Sequence, residues 1–232
     1  MTRDLARQVV AEGVGTAFLV AAVVGSGIAA SRLSPDDVGL QLLENSLVTG
    51  AALVALILAL QPVSASFNPV VTLAERALGT IPSRTAGALV LTQLAGGLVG
   101  VVLANLMFDL EAVSTSTHDR SGAGLWLGEA VATFGLVLVV FGALRTGRTE
   151  VVAFAVGGYI AAAYWFTSST SFANPAVTLA RMFSDTFAGI APSSVPAFLV
   201  FQVVGAAAAY AVVRFLFPVD EQPVPQQRRS SR

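Results

Sequence analysis

Asn68-Pro69-Val70-Val71-Thr72-Leu73-Ala74-Glu75 and Asn174-Pro175-Ala176-Val177-Thr178-Leu179-Ala180-Arg181 are near-copies, one in each half of a 232-residue chain. Asn is a strong helix N-cap and Pro fits the first helical turn, so each stretch reads as a helix start. A helix start presents backbone N–H groups without intrahelical partners, together with a partial positive charge. In an otherwise apolar chain, two such starts in matching positions read as the centre of a pore built from a duplicated unit.

The composition agrees. The chain is 55% hydrophobic and only 12% charged, with a mean hydropathy of +0.75. Soluble domains carry about 25% charged residues, so the chain reads as a membrane protein. A net charge of −1 excludes a basic nucleic-acid surface. The absence of cysteine excludes disulfides and thiolate metal sites. The single histidine, His118, lies in a polar stretch and reads as a solvated loop residue. No paired acid and base, nucleophile motif or phosphate loop is present, so no enzyme, cofactor or metal site is expected. The first residues are charged and no small-residue cleavage site follows the first apolar run, which reads as a retained helix.

Six apolar stretches approach the roughly 20 residues that span a bilayer. They fall near 9–30, 42–61, 85–107, 124–144, 151–168 and 194–217. Two shorter helical segments, 69–79 and 175–184, follow the second and fifth spans. The expected fold is an all-α membrane protein with six transmembrane helices and two half-helices in an inverted repeat. Residues 1–217 form one channel domain, with halves at about 9–108 and 124–217, and 218–232 form a disordered cytoplasmic tail rich in Pro, Gln and Arg. With both termini on one face, that face collects ten of the thirteen arginines, leaving Arg32, Arg120 and Arg181 on the other. The positive-inside rule then makes both termini cytoplasmic.

The repeat extends beyond the boxes. Glu12 in the first span matches Glu129 in the fourth; Gln93 before Gly96 in the third matches Gln202 before Gly205 in the sixth. Three spans per half force the halves into opposite orientations, so the two half-helices enter from opposite faces and their Asn-Pro starts meet near the midplane. Non-helical backbone at that depth needs surrounding protein or a water-filled cavity.

Six spans, two inverted Asn-Pro boxes, Glu12 and Glu129, and Gln93 and Gln202 resemble the major intrinsic protein family, the aquaporins and aquaglyceroporins, over about residues 9–217. The resemblance implies an hourglass fold, a homotetramer in the lipid of a bacterial inner membrane, and passive conduction of small neutral solutes. It makes Asn68, Pro69, Val70, Asn174, Pro175 and Ala176 the pore boxes, with the Asn amides donating to passing solutes. Glu12 and Glu129 then brace the box loops; the alternative role for either is as a proton carrier in a coupled transporter.

Three departures from the family bear on selectivity. The usual filter Arg three residues after the second Asn is here Val177, and the next, Arg181, lies one turn further out. It either replaces that charge from the outer vestibule or sits at the rim. The other filter positions read as Thr49 (or Val48), Ala162 and Ser171, which with Val177 make a wide, weakly charged opening. The first box reads Asn-Pro-Val, and Val63 to Phe67 before it lacks the usual His and is one residue short. The stretch from Ala180 to Phe187 is most like bacterial channels associated with arsenic-resistance operons. Glycerol-like polyols, arsenous acid and methylated arsenicals are therefore the expected solutes, with water as a further candidate. A water-selective channel using Arg181 is the alternative.

Overall fold

The computed structural model describes residues 2–145, 147 and 149–218. The described residues fold into eight α-helices and one 3₁₀ turn: α1 (Arg3–Leu33), α2 (Val38–Leu60), α3 (Pro69–Ala77), α4 (Ser83–Met107), α5 (Ala123–Arg145), α6 (Thr149–Phe166), α7 (Pro175–Ala180), the turn Arg181–Phe183, and α8 (Val195–Leu216). Six of these, α1, α2, α4, α5, α6 and α8, are long and apolar enough to cross a membrane. They coincide with the six stretches read from the sequence. The second half-helix is shorter than expected, because the chain tightens into the 3₁₀ turn after Ala180. The tail read as disordered lies outside the described residues from 219 onward.

Each element has a counterpart four helices later. The pair α1 and α4 packs as α5 and α8 do, α1 and α2 as α5 and α6 do, and α2 meets α6 across the repeat. The short helices sit inside this ring: α3 touches α4 and α8, α7 touches α8 and α4, and the two touch each other. Large apolar side chains such as Phe18, Leu91, Leu127 and Phe154 face outward, as lipid contact requires.

Close approach within each half depends on matching glycines. A Cβ on Gly96 would collide with the Gly13 carbonyl of α1, and a Cβ on Gly205 with the Ala130 carbonyl of α5. Such small-residue contacts let helix backbones approach where no water drives apolar association. Gly205→Val must therefore push α8 off α5, against backbone that cannot yield. Overpacking of this kind costs about 1–3 kcal/mol, and the expected result is a lowered thermal midpoint of the detergent-solubilised protein. Gly87, which has open space around its missing Cβ, is the control: Gly87→Ala does not lower the midpoint, since Ala is the better helix former.

Candidate functional site

The two boxes meet head to head. Asn68 caps α3 by accepting from the Val70 N–H at 3.1 Å, and Asn174 caps α7 by accepting from the Ala176 and Val177 N–H groups at 2.9 and 3.3 Å. Each side-chain amide also reaches across: Asn68 Nδ2 donates to the Ala173 carbonyl and Asn174 Nδ2 to the Phe67 carbonyl, both at 2.8 Å. An amide NH₂ has two N–H bonds, so each Asn uses one to lock the boxes together and keeps one. Both Asn line the central cavity. The sequence reading had the amides donating to the solute; one N–H of each is taken up by the opposite box and the other is left over.

The bend before each box is strained. Phe67 and Ala173, each immediately before its Asn, take φ of 47°, a left-handed conformation unfavourable for residues with a Cβ. Buried carboxylates hold both bends. Glu12 accepts from the Ser66 and Phe67 N–H groups at 2.8 and 2.7 Å, from Ser64 Oγ at 2.5 Å and from Gln93 Nε2 at 2.8 Å. Glu129 accepts from the Phe172 and Ala173 N–H groups at 2.9 and 3.0 Å, from Gln202 Nε2 at 2.6 Å and from the Ser169 side chain. All partners are donors, matching the acceptor-only chemistry of a carboxylate. Gln93 and Gln202 each donate again at 2.8 Å, to Thr72 and Thr178 of the half-helices. The offset between box loops noted in the sequence appears here. The serine that reaches Glu12 is four residues before Asn68, whereas the one that reaches Glu129 is five before Asn174.

A cavity of about 510 Å³ runs past both boxes. On the side of the chain termini it is lined by Gln8, Gln61, Ser64, Ser66, Glu75 and Thr149; its middle is walled by Leu19, Val23, Leu53, Val71, Val140 and Val156. The far end is formed by Thr49, Tyr164, Ser171, Phe172, Val177 and Arg181. There Thr49 Oγ1 and Tyr164 Oη lie 3.2 Å apart. The Arg181 guanidinium lies 3.4 Å from the Phe172 ring centroid, and its Nε donates to the Ala188 carbonyl. Arg181 is 2% exposed, and its Nη1 has no hydrogen-bond partner among the described residues; neither has Ser171 Oγ. The site thus ends in two unpaired polar groups and two hydroxyls beside the apolar Val177.

Of the filter positions read from the sequence, Thr49, Ser171 and Val177 come together at this end. Val48 points away, 44% exposed. Ala162 is a correction: it is exposed and does not line the cavity. The α6 residues that line the cavity on either side of Ala162 are Ile160 and Tyr164, four apart and so on one helix face, while Ala162 midway between them points the other way. At this end α6 therefore presents a tyrosine to the cavity where the sequence reading expected a small residue. Of the boxes, only Asn68 and Asn174 line the cavity; Pro69, Val70, Pro175 and Ala176 build the helix starts behind them.

The loop 109–121 packs against the segment that follows α7. The Ser116 N–H donates to the Met182 carbonyl and the Ala191 N–H to the His118 carbonyl, both at 2.8 Å. Arg120 Nε donates to the Gly189 carbonyl at 2.8 Å, and its guanidinium lies 5.1 Å from the Phe172 centroid. Partial burial first, then the charges of Arg120 and Arg181, hold the His118 imidazole below its ordinary 6.5, so it is neutral at pH 7. Sequence reasoning missed Tyr164, Phe172 and Arg120 as parts of this end. Only the helical spacing of Tyr164 from Ile160 offered a signal.

Two half-helices meeting inside a ring of six spans, with capping amides on the cavity between them, have the architecture of a membrane channel. The comparisons give its family. The family model described as "Major intrinsic protein" matches residues 1–153. The aquaglyceroporin AqpS of Rhizobium meliloti (strain 1021) is 48% identical over 228 residues, covering 96% of this chain and 97% of the relative. A probable aquaporin, TIP2-2, of Oryza sativa subsp. japonica is 31% identical, covering 93% and 89%. The X-ray structure of the aquaglyceroporin from Plasmodium falciparum superposes with a TM-score of 0.70 at 20% identity, covering 93% of this chain and 96% of that one. The chain belongs to the major intrinsic protein family, a family of multi-pass membrane channels.

Proposed function

We propose that the protein is an aquaglyceroporin-type channel that passively conducts small neutral polyhydroxylated solutes: glycerol-like polyols, arsenous acid and methylated arsenicals, with water accompanying them. The observation that carries this reading is the far end of the cavity. Unpaired Arg181 Nη1 and Ser171 Oγ, with the Thr49 and Tyr164 hydroxyls, stand beside apolar Val177 and Phe172. A polyol presents a hydroxylated edge and a C–H edge, and this wall is built from groups of both kinds, with Arg181 Nη1 and Ser171 Oγ lying just behind its surface. Arsenous acid is an uncharged triol of similar size at neutral pH. The likeness to a 48% identical aquaglyceroporin supports the same reading. The helix starts at the boxes and Arg181 all oppose cations, so neutrality of the solute follows from electrostatics. The reading includes a homotetramer in a bacterial plasma membrane with both termini cytoplasmic, as the arginine distribution favours.

Val177→Arg tests the site. It adds bulk and charge beside Arg181, and we expect glycerol and arsenous acid uptake by proteoliposomes to fall by at least about tenfold while water falls less. Val177→Met, which adds size alone, should give an intermediate loss. Equal loss of water and larger solutes in a folded protein would contradict this placement of the filter. A second reading, water selectivity, draws on Arg181, whose guanidinium reaches the cavity wall although it comes from a different position than the family's. It predicts fast water flux with glycerol at background.

A further inference from the structure

Among the described residues that line the cavity, only Glu75 and Arg181 are acidic or basic; burial raises the Glu75 carboxyl to about 7, so the carboxylate is fully formed only above that pH. They are the same position of the two repeats, each seven residues beyond its Asn, about two helical turns from the box. Because α3 and α7 run from the boxes toward opposite faces, Glu75 stands in the mouth on the side of the termini and Arg181 at the far constriction. Their contacts are equivalent too. Glu75 Oε2 accepts from Ser66 Oγ at 3.1 Å, and the Arg181 guanidinium covers Phe172. Ser66 and Phe172 each lie two residues before their Asn. One structural position thus carries opposite charges in the two halves, each held against the loop that its own half-helix follows.

We propose that Glu75 is a charge-selecting residue of this channel, a carboxylate that rejects anions at the terminal-side mouth and offsets the positive field of the rest of the passage. The inference rests on the neutral-solute reading above. Every other strong electrostatic feature along the wall favours an anion: the two helix starts at the boxes, and a buried guanidinium with an unpartnered Nη1. Among the described residues of the wall no other side chain is acidic. Around the Glu75 mouth, α1, α2 and α6 contribute the uncharged Gln8, Gln61 and Thr149, and the acidic Glu12 is tied to the same serine through its N–H. The bond from Ser66 keeps the carboxylate against the wall of a confined cavity, where a charge acts more strongly on a passing ion than it would in open water.

The test uses the full-length chain in proteoliposomes of zwitterionic lipid at about pH 8.5, where Glu75 is ionised, as wild type, Glu75→Gln, Glu75→Asp and Glu75→Ala. Nitrate, small and permanently charged, is the ionic probe, with valinomycin and potassium supplying the counter-current; glycerol is the neutral control. Nitrate flux through Glu75→Gln and Glu75→Ala is expected to exceed wild type by at least about tenfold, with Glu75→Asp near wild type and glycerol flux similar in all four. Unchanged nitrate flux in Glu75→Gln and Glu75→Ala, with glycerol retained, would overturn the assignment and leave the neutral-solute reading standing. A rise in Glu75→Asp as large as in Glu75→Gln would overturn it in favour of side-chain shape. No glycerol flux in the wild type would overturn the underlying reading, and the inference with it.

Discussion

Replacing Glu129 by Ala will leave the second box without its brace. The Phe172 and Ala173 N–H groups and Gln202 Nε2 all donate to this carboxylate, and the residue is fully buried. Each donor left unpaired away from water costs about 1–3 kcal/mol, so the total exceeds about 3 kcal/mol, a large fraction of ordinary stability. The left-handed Ala173 then loses what holds it, and the Asn174 amide loses its register against the Phe67 carbonyl. The expected outcome is loss of solute flux with a sharply lower thermal midpoint in detergent. Glu129→Gln keeps the volume and one acceptor oxygen but turns an NH₂ toward donors, so it should fall between wild type and Ala. Because the network repeats, Glu12→Ala should behave alike through the first box. Normal midpoint and flux in Glu129→Ala would show that the second box holds itself together without the carboxylate, and would exclude a proton-carrying role for Glu129 as well.

Arg181→Ala has the second large effect, on selectivity. The guanidinium is the positive charge at the far constriction, 2% exposed and partly unpaired. A unit charge near a passing cation, at an effective dielectric constant of about 20 and a distance of about 4 Å, contributes roughly 4 kcal/mol. The helix starts at the boxes oppose cations as well, so removal of Arg181 should weaken the barrier without abolishing it. Dissipation of an imposed pH gradient across proteoliposomes should then accelerate by about one to two orders of magnitude. The vacated side-chain volume should also admit larger neutral solutes. Arg181→Lys, which keeps charge but loses the planar face stacked on Phe172, should retain the proton barrier. A proton leak and solute profile unchanged by Arg181→Ala would mean that the residue only buttresses the loop through Ala188 and Phe172.

The fold was legible because its determinants are local or repeated. Six apolar stretches of spanning length, two Asn-Pro caps, and paired Glu and Gln residues are each visible in a short window, and their repetition fixes the inverted topology. The bracing role of Glu12 and Glu129 was an expectation from the family resemblance, and the sequence itself showed only that a charge within a span is costly and so has a role. The far constriction was not legible. Its members come from α2, α6, the box loop and the 3₁₀ turn after α7, so they depend on helix phase and loop path rather than on neighbours in sequence. An uncertainty of two residues on α6 was enough to choose outward-facing Ala162 over Tyr164. The path of Arg181 was equally hidden, because the turn that brings it to the cavity begins where the half-helix ends. Glu75 went unremarked for a different reason: it looks like an ordinary polar residue at a helix end until its symmetry mate Arg181 is seen at the other constriction.

Stopped-flow light scattering on wild-type proteoliposomes, comparing glycerol with water against protein-free vesicles, tests the central claim most directly. Glycerol uptake at least about tenfold above protein-free vesicles, proportional to its gradient and indifferent to an imposed pH gradient, is the predicted result. Fast water flux with glycerol at background would contradict it and make the far constriction, with Arg181, a water filter.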